Sequence, residues 1–250
     1  MNQAEEIISV KNVSVTYSRW GQSVNALKNV SVTIPQGQWV LIIGPNGAGK
    51  STFLQLLSGR IKLSEGNIFI NGRAISEINR HVLSLNIFHV YQDPLIGTAP
   101  GLTVFENLVV ADYDAYKNGV SLKKLKDKYL PILERVGLRN LMKQPVKYLS
   151  GGERQILTLL IANLRPAKTI ILDEPFTALD PNKTEICINE VSRLNSQGKT
   201  IIQVTHDMNL ANSLGDRLIA FKNGELVYDK PLAEKASETI SIFWNSLTTG

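Results

Sequence analysis

The chain has 250 residues, 43% of them hydrophobic, and a formal net charge of +5. That content supports a sizeable core in one domain or two subdomains and excludes global disorder. The one cysteine, Cys187, excludes an internal disulfide and a cysteine-built zinc cluster, and at helical spacing with Val191 and Leu194 it reads as a core thiol.

No apolar run is long enough to cross a bilayer. Met1-Asn2-Gln3-Ala4-Glu5-Glu6 is polar and acidic, unlike a secretory signal, so a cytoplasmic chain is expected. The basic charge fits an anionic membrane surface, nucleic acid or nucleotide and does not choose among them.

Along the chain, residues 7–17 alternate apolar and polar, the period of a strand, with Val13, Val15 and Tyr17 on one side. Residues 18–22 read as a loop, 26–34 as a second strand and Pro35-Gln36-Gly37 as a turn. Trp39-Val40-Leu41-Ile42-Ile43 is a buried strand. It runs into Gly44-Pro45-Asn46-Gly47-Ala48-Gly49-Lys50-Ser51-Thr52, and a helix follows from Phe53. Strand, Gly-x-x-x-x-Gly-Lys-Ser, helix is a phosphate-binding loop in its required context. Glycines let backbone N–H groups turn inward around a phosphate. The helix N-terminus adds a positive dipole end, Lys50 a point charge for the β- and γ-phosphates, and Ser51 a hydroxyl for Mg²⁺.

Residues 66–72 and 87–91 read as further strands, and Gln92-Asp93-Pro94 ends the second of them. Residues 104–141 turn helical, with lysine-rich faces, and residues 151–164 form another helix. Strands follow at 169–172, 200–205 and 217–222, with an amphipathic helix at 182–196. Strand–helix alternation flanking a helical insert implies one α/β core interrupted by a helical subdomain.

Three further segments carry chemistry. Ile170-Ile171-Leu172-Asp173-Glu174 sets two carboxylates at the end of a buried strand, the edge where open α/β sheets bind ligands. Beside a phosphate loop, Asp173 suits Mg²⁺ and Glu174 an attacking water. Leu149-Ser150-Gly151-Gly152-Glu153 could bind an anion at a helix start, although alone it reads first as an ordinary capped helix. His206 follows a strand on the ligand edge and is a candidate for γ-phosphate contact, although lone histidines are commonly structural. His81 and His89 have no comparable setting.

Together these segments resemble the ATP-binding-cassette (ABC) ATPases. The phosphate loop, Gln92, Leu149–Glu153, Leu172-Asp173-Glu174-Pro175, Ala178-Leu179-Asp180 and His206 stand in that family's order over residues 7–230. The resemblance implies an α/β P-loop NTPase (RecA-like) core, at 1–94 and 165–235. It also implies an antiparallel β-subdomain, a helical signature subdomain at 95–164 and a C-terminal tail at 236–250. It implies ATP and Mg²⁺ as ligands. Tyr17 would stack on adenine, with Trp20 as a competitor; Gln92 would sense Mg²⁺ and the attacking water. Glu174 would be the general base and His206 the switch histidine. Ser150, Gly151, Gly152 and Glu153 would form the signature facing the ATP of a second copy, and Asp180 the loop crossing that interface.

Glu153 stands where the family commonly has glutamine, and residues 155–164 lack the common Ala-Arg-Ala-Leu ending; neither touches the catalytic set. Together with residues 92–104 and Glu106-Asn107, the ending at 155–164 is similar to importer ATPases for tryptophan, tyrosine or related amino acids. The likeness implies integral permease subunits, an extracytoplasmic solute-binding protein, a location on the cytoplasmic membrane face and no nucleic-acid partner. A groove for a permease segment is expected after Gln92, up to about Asn107. A DNA-repair ATPase is excluded because residues 49–149 leave no room for a long coiled-coil insert. A non-transport ATPase acting in assembly or scaffold remodelling stays open.

Overall fold

The computed structural model describes residues 6–19, 22–207 and 214–232. Trp20 and the tail expected at 236–250 lie outside them. In chain order the elements are β1 (Glu6–Arg19), β2 (Gln22–Pro35), β3 (Trp39–Ile43), α1 (Lys50–Leu57), β4 (Glu65–Ile70), β5 (Arg73–Ala74), α2 (Arg80–Asn86) and β6 (Ile87–Val90). There follow α3 (Val104–Ala111), α4 (Tyr113–Asn118), α5 (Leu122–Arg135), α6 (Gly151–Leu164), β7 (Thr169–Asp173), α7 (Pro181–Ser196), β8 (Thr200–Val204), β9 (Arg217–Lys222) and β10 (Glu225–Pro231).

Two sheets result: an antiparallel one of order β2-β1-β4-β5, and a six-stranded one of order β10-β9-β3-β8-β7-β6. The second is parallel except for β10 against β9. Its central strands are apolar on both faces, as strands covered on both sides must be. Trp39, Leu41 and Ile43 face a core shared with α3, α5, α6 and α7, while Val40 and Ile42 face a second core shared with α1 and the antiparallel sheet.

Strand β1 shows why its alternation does not hold a single phase. Ile8 and Val10 are buried, and so are Val13 and Val15, so the inward parity switches between them. A register shift separates Val10 from Val13, and Asn12 there sits at φ 50. A bulge adds one residue and returns the following side chains to the core face. The expected loop at 18–22 is narrower than the sequence suggests, because pairing continues through Ser18↔Ser23 and Arg19↔Gln22. Thr16 Oγ1 helps hold this end by donating to Asn25 Oδ1 at 2.9 Å.

The helical stretch expected at 104–141 is divided into α3, α4 and α5. Asp112 ends α3 and caps α4, accepting from Ala115 N at 3.0 Å. Its other oxygen accepts from Tyr129 Oη at 2.7 Å and Lys128 Nζ at 2.6 Å. Gly119, at φ 60, ends α4 in the left-handed conformation that glycine adopts without a Cβ clash. Among the described residues no helix is long and apolar enough to cross a membrane.

Candidate nucleotide site

Parallel, in-register pairing brings the ends of four strands to one edge. Ile42 pairs with Val204, Val204 with Asp173, and Leu172 with Val90. The phosphate loop after β3, His206 after β8, Asp173 and Glu174 at the end of β7, and Gln92 after β6 therefore follow one another across the sheet's carboxyl edge.

The loop's glycines are required by packing as much as by any ligand. Gly49 sits at φ 104, and a Cβ there would lie 2.6 Å from the Ala26 carbonyl oxygen and 2.8 Å from Leu27 Cδ2. At Gly44 a Cβ would overlap the Phe221 carbonyl oxygen. The β9–β10 turn clamps the loop: Gly224 N donates to the Ala48 carbonyl at 3.0 Å and its own carbonyl accepts from Lys28 N at 2.8 Å. Pro45, Asn46 and Gly47 form the outer part of the loop, where Asn46 and Gly47 are exposed. Ser51 is also exposed and Thr52 half-buried.

Lys50 is 6% exposed and donates to the Gly44 carbonyl at 2.6 Å and the Pro45 carbonyl at 3.0 Å. Burial lowers its pKa, opposed by the carboxylates of Glu174 and Asp173. Asp173 moves the other way: burial raises its pKa and the Glu174 charge adds to this, while Lys50 and His206 oppose it. Burial thus pushes both groups toward their neutral forms, and the attraction between their opposite charges opposes it only in part.

Glu174 takes φ 49, its N–H donating to the Val204 carbonyl at 3.2 Å. Its Oε1 lies 2.8 Å from His206 Nε2, and Thr177 Oγ1 donates to its Oε2 at 3.3 Å. Both Glu174 oxygens are thereby oriented from the β8 end and the following turn. Gln92 is exposed just beyond β6, and Tyr17 is 43% exposed near the end of β1 that connects to β2.

The signature segment lies at the start of α6. Ser150 and Glu153 form a reciprocal capping box: Glu153 N donates to Ser150 Oγ at 3.3 Å and Ser150 N to Glu153 Oε2 at 2.7 Å. Gly151 is exposed and Gly152 buried. None of Ser150's hydrogen bonds reaches the phosphate loop; its carbonyl accepts from Arg154 N at 3.0 Å, and the remaining partner of its side chain is Lys183. Asp180 caps α7 through Lys183 N at 2.9 Å, which holds its carboxyl below the usual range.

Ser51, Asp173 and Gln92 offer hard oxygen donors, and the described residues hold no cluster of three or more His, Cys, Asp or Glu able to bind a metal. Such a donor set fits Mg²⁺ completed by phosphate oxygens and water, and does not fit zinc.

Sequence reasoning missed four contributors. Thr177 and Lys183 belong to no motif. The β9–β10 clamp depends on an edge strand, β10, that the sequence pattern does not announce. His89, with Tyr91, Arg60, Arg80 and Arg165, lines a groove of about 450 Å³ beside the residues after Gln92.

A phosphate loop, a strand-end carboxylate pair and a parallel sheet joined at one edge define a P-loop nucleoside triphosphatase. The sequence matches the ABC transporter family over residues 27–177, more than half of the chain, and the chain belongs to that family of ATPases. It is 34% identical over 244 residues to a tyrosine transport ATP-binding protein of Clostridioides difficile, which covers 94% of this chain and 96% of that protein. A cell division ATP-binding protein, FtsE, of Streptococcus pneumoniae is 32% identical over 231 residues, 91% of this chain and 97% of the relative. Among solved structures, a dimeric ATP-binding cassette in a post-hydrolysis state, bound to ADP and Pi, has a TM-score of 0.80 at 30% identity. It covers 91% of this chain and 100% of that one.

Proposed function

We propose that this ATP-hydrolysing subunit drives a membrane importer for an amino acid or a related small solute. Residues 95–164 serve as its helical subdomain, and residues 1–94 and 165–235 as the nucleotide core. Two copies sandwich two ATP molecules, each between the phosphate loop of one and Ser150, Gly151 and Gly152 of the other. The observation that carries the ATPase reading is the shared strand edge, where Glu174 stands between His206 and Asp173.

In this reading Tyr17 stacks on adenine, and Lys50 with the loop N–H groups holds the phosphates. Ser51, Asp173 and Gln92 would hold Mg²⁺, which neutralises developing charge when bound. Glu174 accepts the proton of the water that attacks the γ-phosphorus, the bond to ADP breaks, and phosphate leaves. His206 and Thr177 keep the carboxylate oriented for that transfer. Loss of the γ-phosphate removes the link to Ser150 of the other copy and the pair opens, converting binding energy into domain motion. Glu153 caps the signature helix and Asp180 holds the crossing loop.

Membrane association follows from partner permease subunits at the cytoplasmic face, with a solute-binding protein outside. The groove supports this. Arg60, Arg80 and Arg165 form no ion pair among the described residues, and both ring nitrogens of buried His89 lack a partner. An acidic permease segment would complement the three arginines, while the His89 nitrogens lie buried beneath the groove surface. Likeness to a cell-division protein keeps the assembly reading as the alternative.

The test is Glu174→Gln, which keeps volume and the acceptor for His206. Hydrolysis is expected to fall about a hundred- to ten-thousand-fold, with ATP binding kept and Mg-ATP driving dimerisation in sedimentation. Hydrolysis at the parent rate would move the base assignment to another group.

A further inference from the structure

At the start of α6, Ser150 Oγ accepts two hydrogen bonds, from Glu153 N at 3.3 Å and from Lys183 Nζ at 3.2 Å. A hydroxyl has two acceptor lone pairs and one hydrogen. With both lone pairs engaged, the hydrogen is turned away from those partners. The adjoining surface is open, since a Cβ on Gly151 would meet nothing within 4 Å.

Lys183 is brought to this place by the first turn of α7. Its N–H donates to Asp180 Oδ1 at 2.9 Å, and its Nζ lies 3.5 Å from Asp180 Oδ2. Its stem crosses Gly152, where a Cβ would overlap Lys183 Cδ. An ammonium carries three N–H groups; Ser150 and Asp180 take two, and no third partner exists among the described residues. A cation at a helix N-terminus opposes the helix dipole. Asp180 and Glu153 offset that cost only in part, because Asp180 is half exposed and Glu153 is engaged with Ser150 N. An arriving anion reverses the sign of the interaction, since it is attracted by both the dipole and Lys183.

We propose that Lys183 is a positioning residue for the ATP held by a second copy: it fixes Ser150 as a donor and lays a cation beside the γ-phosphate. This rests on the sandwich reading above. Lys183 makes and breaks no bond in the reaction. It links the signature and the Asp180 loop into one phosphate-facing unit, so both report on the same γ-phosphate.

Sedimentation in the Glu174→Gln background with Mg-ATP tests it, comparing Lys183→Met, Lys183→Arg and Ser150→Ala. Lys183→Met is expected to weaken ATP-driven dimerisation about tenfold or more, as loss of a charge-assisted contact does. Lys183→Arg should recover most of it. ATP binding by single copies, followed at low protein concentration, should stay with the phosphate loop and serves as the folding control. If Lys183→Met pairs like its parent while Ser150→Ala does not, the proposal is overturned and the sandwich stands. Equal losses in Lys183→Met and Lys183→Arg, or loss of single-copy ATP binding, would assign Lys183 a merely structural role and also overturn it. If the parent itself does not pair, the sandwich falls and the proposal with it.

Discussion

His89 offers a stability test of the groove that needs no partner. It is 7% exposed on β6, its ring stacks on Tyr91 at 4.1 Å, and neither nitrogen has a hydrogen bond. Burial, with the Arg60 charge second, lowers its pKa from the ordinary 6.5 to about 4. In the unfolded chain it would bind a proton near pH 6.5 and in the folded chain only near 4. The unfolded state therefore holds more protons between those values, and stability is lost as pH falls through the window. The loss from this one group works out at about 2 kcal/mol by pH 5 and about 3 kcal/mol by pH 4, a large fraction of a typical folding free energy. Arg60, Arg80, Arg165 and Tyr91 line the groove around His89. His89→Phe keeps a ring against Tyr91, removes two unpartnered nitrogens and has groove space for its added volume. Urea unfolding at pH 7 and pH 5 should show it about 1 kcal/mol more stable than the parent at pH 7. The gap should widen by about 2 kcal/mol at pH 5. Parallel losses in both proteins between the two pH values would refute the assignment of a neutral buried imidazole.

Two further outcomes are expected. Lys50→Ala removes the loop's buried cation and its hydrogen bonds to the Gly44 and Pro45 carbonyls. ATPase kcat/KM should fall by at least about a hundredfold, and near-normal turnover would detach this loop from the reaction. Arg60→Glu reverses a charge in the groove over Tyr91 and should cut the membrane protein co-purified with the chain about tenfold; undiminished co-purification would remove the groove from the interface.

Where local chemistry and tertiary structure agree, the fold is legible in the sequence. Helix α6 is readable at its observed limits, residues 151–164, because Ser150 and Glu153 form a capping box and the helix is followed by Pro166. The phosphate-loop strand and the Asp173 strand were clear because burial on both faces leaves an uninterrupted apolar run. Strand β10 was missed for the opposite reason: it lies at a sheet edge, is largely half-exposed and ends in Pro231, so it has neither a run nor a clean alternation. Helix α2 was missed because it is seven residues long with one buried side chain, Leu83, leaving almost no amphipathic signal. The break at Asp112 was hidden because its cause is tertiary. A buried carboxylate there is satisfied by Tyr129 and Lys128, residues a full helix away. Lys183 was invisible in the same sense: its sequence neighbours give a capped helix start, and only folding brings it to Ser150.

The site's charges are arranged so that the protein alone does not satisfy them fully. Burial shifts Lys50 and Asp173 toward their neutral forms, and their attraction for each other only partly opposes it. Glu174 and Ala178 add non-glycine residues at φ 49 and φ 60, a conformation that costs on the order of 1 kcal/mol or more each. In the proposed mechanism a triphosphate would favour the charged form of Lys50 and a divalent cation ionised Asp173, so bound ligand would offset both desolvation costs. The γ-phosphate would contribute to both at once, since Lys50 would bind it directly and Asp173 would meet its charge through the metal. Removing it weakens several interactions together, which is what a switch needs: the site responds to one bond in the ligand with a change larger than any single contact supplies.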